Sequence, residues 1–207
     1  MASISIIGNG NMARGIAAVA AKAGAGIQIV GRDADKAADA ASAVGGTSAT
    51  MGDALTGDIV VLAVPFAAID DLTETYKDAL AGKTVVDITN PVNVDTFDGL
   101  VVPTDSSATQ VIAKALPGAH VVKAFNTNFA ASLVPGTVGG QPTTVLVAGD
   151  DAGAKQGVVD LVNAGGLAGV DAGSLSRARE LESIGFLQMK LAASEQIAWT
   201  GGFVLAT

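Results

Sequence analysis

The segment that most clearly indicates a fold is Ser3-Ile4-Ser5-Ile6-Ile7-Gly8-Asn9-Gly10-Asn11-Met12-Ala13-Arg14-Gly15. Its first residues form a short β-branched run that predicts a strand, and the alanine-rich pattern after it predicts a helix to about residue 22. Between them stands the spacing G-x-G-x-x-A. In this strand–turn–helix context the spacing is typical of dinucleotide-binding proteins, although a glycine-rich turn also occurs without a ligand.

The small residues of this turn each have a physical role. Gly8 permits the tight turn, Gly10 lets the backbone approach a pyrophosphate, and Ala13 allows the helix to pack closely on the strand. The N-terminus of the helix offers unpaired N–H groups and its positive dipole end to the phosphates. We therefore predict that the turn binds the cofactor, through Gly8, Asn9, Gly10, Asn11 and Met12.

The composition limits the classes of function. The chain has 207 residues, 49% of them hydrophobic, which is enough for one sizeable core. Aromatic residues make up only 4%, and the net charge is −8 with no basic stripe, so we expect neither nucleic acid nor a membrane as a partner. Cysteine is absent and His120 is the one histidine, which excludes disulfides, thiolate catalysis and a multi-histidine metal site. Because there is no signal-peptide pattern and no apolar stretch near ~18 residues, we expect a soluble, cytoplasmic protein.

Strands and helices alternate along the chain. The predicted strands cover 3–7, 27–31, 47–50, 58–64, 83–88, 120–125, 143–148 and 168–171, and the predicted helices cover 11–23, 34–44, 66–80, 106–116, 152–163 and 175–197. The strand at 58–64 is almost entirely apolar, which is typical of a parallel strand buried on both faces. We predict an α/β fold with a Rossmann-like, doubly wound, mostly parallel sheet, forming one dinucleotide-binding domain over 1–207. The C-terminal helical extension, from about residue 175, either packs across the sheet or against a second subunit, or only completes the core.

The end of the second predicted strand indicates which dinucleotide binds. NAD-specific folds place a carboxylate there, but this strand ends in Gly31 followed by Arg32. A small residue and a guanidinium accommodate a 2′-phosphate, and Lys36 adds a second positive charge one helical turn later. We therefore predict NADP(H) rather than NAD(H). Asp33 either caps the next helix or pairs with Arg32 and weakens this preference.

Polar residues and prolines follow three further strands, where ligands of an open parallel sheet bind. They stand in Ala63-Val64-Pro65, in Asn90-Pro91-Val92 and in Asn126-Thr127. This set contains no convincing general acid or base and no nucleophile beside a base, so we predict no catalytic side chain. Hydride transfer between two bound rings needs little more than their correct placement. A reductase of a carbonyl or imine compound would want a proton donor in the cleft, but the one tyrosine, Tyr76, falls inside a predicted helix.

Two charges interrupt otherwise apolar strands. Asp87 lies in Val85-Val86-Asp87-Ile88, and Lys123 lies in Val121-Val122-Lys123-Ala124. If the two strands are neighbours, the charges can pair, and we expect such a pair to hold the sheet beneath the site. His120 opens its strand and is expected at the surface.

The chain resembles the NADP oxidoreductases that depend on coenzyme F420, and the reductase domain of the STEAP ferric reductases is a related relative. The resemblance runs nearly from end to end. It rests on Gly8-Asn9-Gly10-Asn11-Met12, Gly31-Arg32 with Lys36, Ala63-Val64-Pro65, Val121-Val122-Lys123-Ala124-Phe125-Asn126-Thr127, Val147-Ala148-Gly149-Asp150-Asp151, Asp171-Ala172-Gly173-Ser174-Leu175 and Arg179-Glu180-Leu181-Glu182.

The resemblance implies a small homodimeric Rossmann enzyme in which hydride passes between NADP(H) and a deazaflavin. It implies that Arg32 and Lys36 hold the 2′-phosphate and that Asn90, Pro91 and Val92 line the deazaflavin pocket. The chain departs from the F420 enzymes at Asn126-Thr127-Asn128-Phe129, where they carry a His-Thr-Ile-Pro-like segment. Three hypotheses therefore remain: an oxidoreductase acting on F420, a flavin or a similar small acceptor; an NADPH-dependent reductase of another small molecule; and a non-catalytic NADP(H)-sensing protein.

Overall fold

The computed structural model describes residues 2–205, and eight of its strands form one sheet. These strands are β1 (Ser3–Ile7), β2 (Gly26–Gly31), β3 (Thr47–Thr50), β4 (Ile59–Leu62), β5 (Thr84–Asp87), β6 (His120–Lys123), β9 (Thr144–Gly149) and β10 (Ala168–Gly173). A separate antiparallel hairpin is formed by β7 (Thr137–Val138) and β8 (Gln141–Pro142).

The strand order is β3-β2-β1-β4-β5-β6-β9-β10. The first six strands are parallel, and they have the 3-2-1-4-5-6 order of doubly wound nucleotide-binding folds. Strand β9 runs antiparallel to β6, and β10 runs parallel to β9. The predicted Rossmann-like, mostly parallel fold is thereby confirmed. Because the order reverses between β1 and β4, a crevice opens at their carboxyl ends, which is where such folds bind ligands.

Helices cover both faces of the sheet. They are α1 (Asn11–Lys22), α2 (Ala34–Ser42), α3 (Ile69–Tyr76), α4 (Ala108–Ala115), α5 (Ala130–Leu133), α6 (Ala152–Ala164) and α7 (Ala178–Ala193). One apolar cluster joins the sheet to α1, α2 and α6, and a second joins it to α3 and α4. Strands in the middle of the sheet serve both clusters, since Ile6 belongs to the first and Ile7 to the second. In the described part of the chain, no helix is both long enough and apolar enough to cross a membrane.

Two predicted helices differ from the structure by more than two residues at each end. The helix predicted at 66–80 begins as a 3-10 turn over Phe66–Ala68 and is α-helical only over Ile69–Tyr76. The helix predicted at 175–197 begins as a 3-10 turn over Leu175–Arg177 and ends at Ala193. Glu195 adopts a φ of 60°, which breaks the helical path, so Trp199 lies in a loop beyond α7. The short helix α5 and the β7–β8 hairpin were not predicted.

Candidate functional site

The turn between β1 and α1 has the geometry that its glycines predict. Gly8 has a φ of 126°, and a Cβ atom there would lie 2.1 Å from the backbone oxygen of Ala63, so no other residue fits. Gly10 is the N-cap of α1, which has no side-chain cap. A Cβ atom at Gly10 would meet no atom within 4 Å, so open space lies over the first N–H groups of α1. This open helix end is suited to an anion.

A first cavity, of about 430 Å³, lies beside this turn at the carboxyl ends of β1, β2 and β4. It is lined by these predicted site residues: Gly8, Asn9, Gly10, Gly31, Arg32, Lys36, Ala63, Val64 and Pro65. Met51, Asp71 and Thr75 also line it, although no motif around these residues indicates a binding site.

The charged residues after β2 settle the role of Asp33. Its carboxylate accepts a hydrogen bond from the backbone N–H of Lys36 at 3.1 Å and so caps α2. It also lies 3.3 Å from the Lys36 ammonium. These contacts, the backbone N–H first, hold the pKa of Asp33 below its usual value, so it is ionised at neutral pH. Arg32 is exposed and pairs with no carboxylate among residues 2–205, which leaves its guanidinium available to a ligand.

A second cavity, of about 630 Å³, lies beyond the carboxyl ends of β4, β5 and β6. It shares Gly10, Ala63, Val64 and Pro65 with the first cavity, so the two cavities adjoin at these residues. Of the other predicted site residues, Asn11, Met12, Asn90 and Asn126 line it. The remaining wall is mostly apolar: Ala13, Phe66, Ile88, Thr89, Phe125, Asn128, Phe129, Ala130, Ala131, Met189 and Trp199. Its volume is within the range of about 300–1,000 Å³ typical of small-molecule sites.

Asn90 and Asn126 form a reciprocal pair at this cavity. The Asn90 amide donates to the backbone oxygen of Asn126 at 2.8 Å, and the Asn126 amide donates to Asn90 Oδ1 at 2.9 Å. Asn126 Nδ2 also donates to the backbone oxygen of Leu181 in α7 at 2.8 Å. Helix α7 comes this close because it has a glycine at the contact: a Cβ atom at Gly185 would lie 2.6 Å from Asn90 Oδ1.

Three buried polar atoms in residues that line the second cavity have no hydrogen-bond partner within the described structure. They are Thr89 Oγ1, Asn126 Oδ1 and Asn128 Oδ1. Phe125 lies beside them with a φ of 60°, a backbone conformation that is strained for a bulky residue. Unpaired buried polar atoms and backbone strain concentrate at functional sites, and both occur here after β6.

A buried cluster of charges lies beneath the second cavity. Lys123 Nζ is 2.8 Å from Asp87 Oδ2 and 2.9 Å from Glu182 Oε1, and all three side chains are almost completely buried. The pairing of Asp87 with Lys123 confirms the expectation that these charges lie on neighbouring strands. Glu182 in α7 was missed, because a single glutamate in a helical pattern ordinarily indicates a solvated face. Its carboxylate accepts from the backbone N–H groups of Ala108 and Thr109 at the N-terminus of α4.

Three residues in the predicted set lie outside both cavities. Pro91 and Val92 turn away with the chain, since the backbone oxygen of Pro91 accepts from Val101 and Val92 pairs with Leu100. Thr127 is buried, its backbone oxygen accepts from Gln188 Nε2 at 3.1 Å, and it borders a third, apolar cavity of about 260 Å³. The placement of these three residues argues against direct roles in the crevice.

Other residues considered from the sequence also lie away from the cavities. His120 is exposed at the start of β6, with Nδ1 3.4 Å from Asp151 Oδ2. The Tyr76 hydroxyl accepts from the backbone N–H of Gly52 at 2.7 Å, and neither main cavity reaches it. Arg179 and Glu180 are exposed and line neither cavity.

Comparison with known proteins agrees with this geometry. The family model described as "NADP oxidoreductase coenzyme F420-dependent" matches residues 3–91. The chain is 29% identical over 181 residues to the metalloreductase STEAP3 of Rattus norvegicus, a match covering 87% of this chain and 36% of that protein. It is 31% identical over 132 residues to an F420-dependent NADP reductase of Methanocaldococcus jannaschii, covering 62% of this chain and 59% of that protein. The chain thus spans about one third to three fifths of the length of these relatives.

A solved structure matches the whole chain. It is that of a putative F420-dependent NADP-reductase from Arthrobacter sp. FB24, which is 28% identical, with a TM-score of 0.86 and coverage of 100% of both chains.

Proposed function

We propose that this chain is a member of the coenzyme F420-dependent NADP oxidoreductases, the family whose model matches residues 3–91, and that it transfers a hydride between NADPH and a deazaflavin or flavin-like acceptor. The observation that carries the proposal is that the two cavities adjoin at Gly10 and Ala63–Pro65, beside the glycine turn. In this proposal the adenosine half of the dinucleotide occupies the first cavity. The nicotinamide and the acceptor ring share the second, larger cavity.

The residues present fit NADP(H) at three points. The missing Cβ atom of Gly10 leaves open space over the N-terminus of α1, where a diphosphate binds well. Arg32, with no carboxylate partner in the described residues, can make a charge-assisted contact with a 2′-phosphate. Asn126 Oδ1, buried without a partner, can accept a hydrogen bond from a carboxamide N–H group.

The proposed roles of the side chains and backbone follow from these positions. NADPH supplies the hydride when it is bound. The turn from Gly8 to Met12 holds the diphosphate, Arg32 and Lys36 hold the 2′-phosphate, and Ala63–Pro65 borders the passage between the cavities. Asn90 and Asn126 orient the ring at the floor, and the mostly apolar wall packs against it.

The acceptor ring takes up a hydride from NADPH and one proton from solvent, so the proposed chemistry needs no acid or base from the protein. None of the residues that line the second cavity is a Lys, Arg, His, Asp, Glu or Tyr. Hydride transfer between two rings depends on holding them about 3–3.5 Å apart in the correct orientation, which a rigid neutral cavity can do. We find no observation that favours a carbonyl reductase or a sensing protein over this reaction.

The decisive experiment is to follow NADPH oxidation at 340 nm with F420, riboflavin, FMN and FAD offered separately, and with NADH as the control donor. Turnover with at least one ring acceptor, and faster turnover with NADPH than with NADH, supports the proposal. Tight NADPH binding without turnover on any of these acceptors would contradict the proposed reaction.

The resemblance to homodimeric reductases also leads us to propose that this chain dimerises. The apolar side chains Leu187, Phe203 and Leu205 are about half exposed on α7 and on the C-terminal segment, which is consistent with a covered surface. Light scattering coupled to size-exclusion chromatography tests this, and a mass near 20.3 kDa at micromolar concentration would contradict it.

A further inference from the structure

Trp199 occupies an unusual position for a large aromatic residue. It is the one tryptophan in the chain, and it lines the second cavity with 52% of its surface exposed. Its ring packs on Phe129, with centroids 4.8 Å apart and an angle of 54° between the planes. Phe129 is itself buried and lines the same cavity. The pair therefore forms an aromatic wall in which the Phe129 ring is buried and the Trp199 ring is half exposed.

The loop that carries Trp199 is anchored at both ends. On the near side, the backbone N–H of Gln196 donates to the oxygen of Leu191 at 2.9 Å. On the far side, the buried amide of Gln188 accepts from the N–H of Phe203 at 3.0 Å and donates to the oxygen of Thr127 at 3.1 Å. Gln188 therefore joins the segment after Trp199 to the loop after β6. The position of Trp199 is thus set by the packing of α7 against the site.

The N-terminus of α1 is assigned to the diphosphate, and apart from it the described lining of the second cavity has no charged side chain that could recognise an anionic group. No Lys or Arg is among the residues that line it, whereas the first cavity has both Arg32 and Lys36. Phosphate and carboxylate groups are ordinarily held by such cations. The neutral lining matches the bare ring of an acceptor and offers no charge partner to an anionic tail.

We propose that Trp199 and Phe129 form a stacking wall that selects an uncharged, planar conjugated ring, and that this protein recognises its acceptor by the ring and not by an anionic tail. The inference rests on the proposed function, because it assigns the acceptor side of that site. Stacking on an aromatic face tolerates changes of substituent, since it reads the π-surface rather than individual polar atoms. Flavins and deazaflavins with short tails therefore belong to the same ligand class for this cavity.

The first test uses the unaltered protein and compares the binding of acceptors with and without an anionic tail. Riboflavin is paired with FMN, and 7,8-didemethyl-8-hydroxy-5-deazariboflavin, which is the F420 ring without its anionic tail, is paired with F420. Each is titrated into protein saturated with NADP⁺, which cannot donate a hydride, and Trp199 emission reports binding. We expect the Kd values within each pair, with and without the anionic tail, to agree within about threefold. A gain of about tenfold or more from either charged tail, or no binding of the tail-free rings, would overturn the inference.

The second test removes the wall. We expect Trp199→Ala to raise the Kd of riboflavin by about tenfold and Trp199→Phe to recover most of that loss, with the fluorescence of the ligand as the signal. Phe203→Ala is the matched control, because Phe203 is an exposed aromatic on the same segment that does not line this cavity. Equal Kd values for Trp199→Ala and the unaltered protein would contradict the role of the wall. Rings that bind as expected but are not reduced by NADPH would contradict the hydride-transfer proposal and leave the wall intact.

Discussion

Lys123 and Asp87 face each other across β6 and β5, and their ion pair of 2.8 Å also fixes the backbone next to the second cavity. Lys123 Nζ donates to the backbone oxygen of Thr89 at 2.6 Å, and Asp87 Oδ1 accepts from the backbone N–H of the same residue at 2.8 Å. Thr89 is thus held from both sides. Since Asn90 comes directly after it, the buried pair sets the position of a residue that lines the cavity.

The cluster carries two carboxylates for one ammonium, and the fold compensates for the extra negative charge. Glu182 accepts from the N–H groups of Ala108 and Thr109, where the positive end of the α4 dipole favours an anion. Asp87 Oδ2 also accepts from the Thr109 hydroxyl at 2.8 Å. Because each member satisfies the others, loss of one leaves an uncompensated buried group.

We predict that Asp87→Asn destabilises the fold and weakens ligand binding in the second cavity. Removing one partner from a buried ion pair costs about 3–5 kcal/mol, which in a chain of this size lowers the Tm by on the order of 10 °C. Thermal unfolding monitored by circular dichroism and titration with NADPH measure the two effects. Asp98→Asn is the control, since Asp98 pairs with Lys190 at 3.5 Å on the surface and should shift the Tm very little. An unchanged Tm together with unchanged NADPH affinity would remove the role assigned to the pair.

We predict that Arg32→Ala weakens NADPH binding by about 10- to 100-fold and changes NADH binding little. Hydrogen bonds to charged groups contribute about 1.5–3 kcal/mol, and only NADPH carries the 2′-phosphate. Calorimetric titration with both nucleotides measures the ratio. Arg179→Ala removes an exposed arginine that lines neither cavity and should leave both affinities as they are. Equal losses for NADPH and NADH would contradict the assignment of Arg32 to the 2′-phosphate.

We predict that Asp33→Asn tightens NADPH binding by a few fold. Asparagine caps a helix about as well as aspartate, so α2 keeps its N-cap while the Lys36 ammonium is released for the ligand. Because its contacts with Lys36 lower the pKa of Asp33, the carboxylate is ionised at pH 7–8, where the 2′-phosphate is mostly a dianion, so the gain should not depend on pH in this range. The stability from these contacts is present above the ordinary pKa of an aspartate and is lost only as the pH falls through the lowered value.

Asp35→Asn provides the comparison for Asp33→Asn. Asp35 also lies in the first turn of α2, but it does not line the first cavity. Weaker NADPH binding by Asp33→Asn, or an equal gain from Asp35→Asn, would show that the pairing with Lys36 does not limit the affinity.

The sequence predicted those parts of the site that depend on local chemistry. The glycine spacing defines the turn after β1 because a single peptide segment determines its φ values and its open helix end. The pairing of Asp87 with Lys123 was predictable because each charge interrupts an apolar strand and has few ways to be buried. The sequence therefore predicted the site best at the carboxyl ends of the parallel strands.

The remainder of the site depends on how α7 and its following loop pack on the sheet. Glu182 and Trp199 are far along the sequence from the strands of the site, and they reach it only because α7 and its following loop pack against the sheet. The sequence around them looks like an ordinary amphipathic helix. The strain at Phe125 has no sequence signal, since phenylalanine is not selected for a positive φ. Pro91 and Val92 were assigned by resemblance, and the turn that pairs Val92 with Leu100 carries both away from the cavity.

We predict that Gly10→Ala abolishes dinucleotide binding without destabilising the fold. The added Cβ atom meets no protein atom within 4 Å, so it projects into the space proposed for the diphosphate. Gly8→Ala should instead prevent folding, because its Cβ atom would clash with Ala63. Thermal unfolding and NADPH titration separate the two outcomes. Gly157→Ala, at an uncrowded position in α6, should bind NADPH normally and gain up to about 1 kcal/mol of stability. Normal NADPH binding by Gly10→Ala would place the diphosphate elsewhere.

We predict that Gly185→Ala impairs hydride transfer in the second cavity more than binding of the adenosine half of NADP(H) in the first. A Cβ atom at this position would lie 2.6 Å from Asn90 Oδ1 and 2.9 Å from the backbone oxygen of Asn126, so both must shift. Neither asparagine lines the first cavity, where Arg32 and the glycine turn are unchanged. We therefore expect kcat to fall by about tenfold or more, since small displacements at a reacting ring are costly, while the Kd for NADPH changes by less than about threefold.

Steady-state kinetics with varied acceptor, together with direct NADPH titration, measure this division for Gly185→Ala. Gly157→Ala again serves as the control for adding a methyl group to a helix. Parallel losses in acceptor turnover and NADPH affinity would mean that α7 supports the whole crevice rather than its acceptor half. Full activity would mean that the Asn90–Asn126 pair tolerates displacement and does not orient the reacting ring.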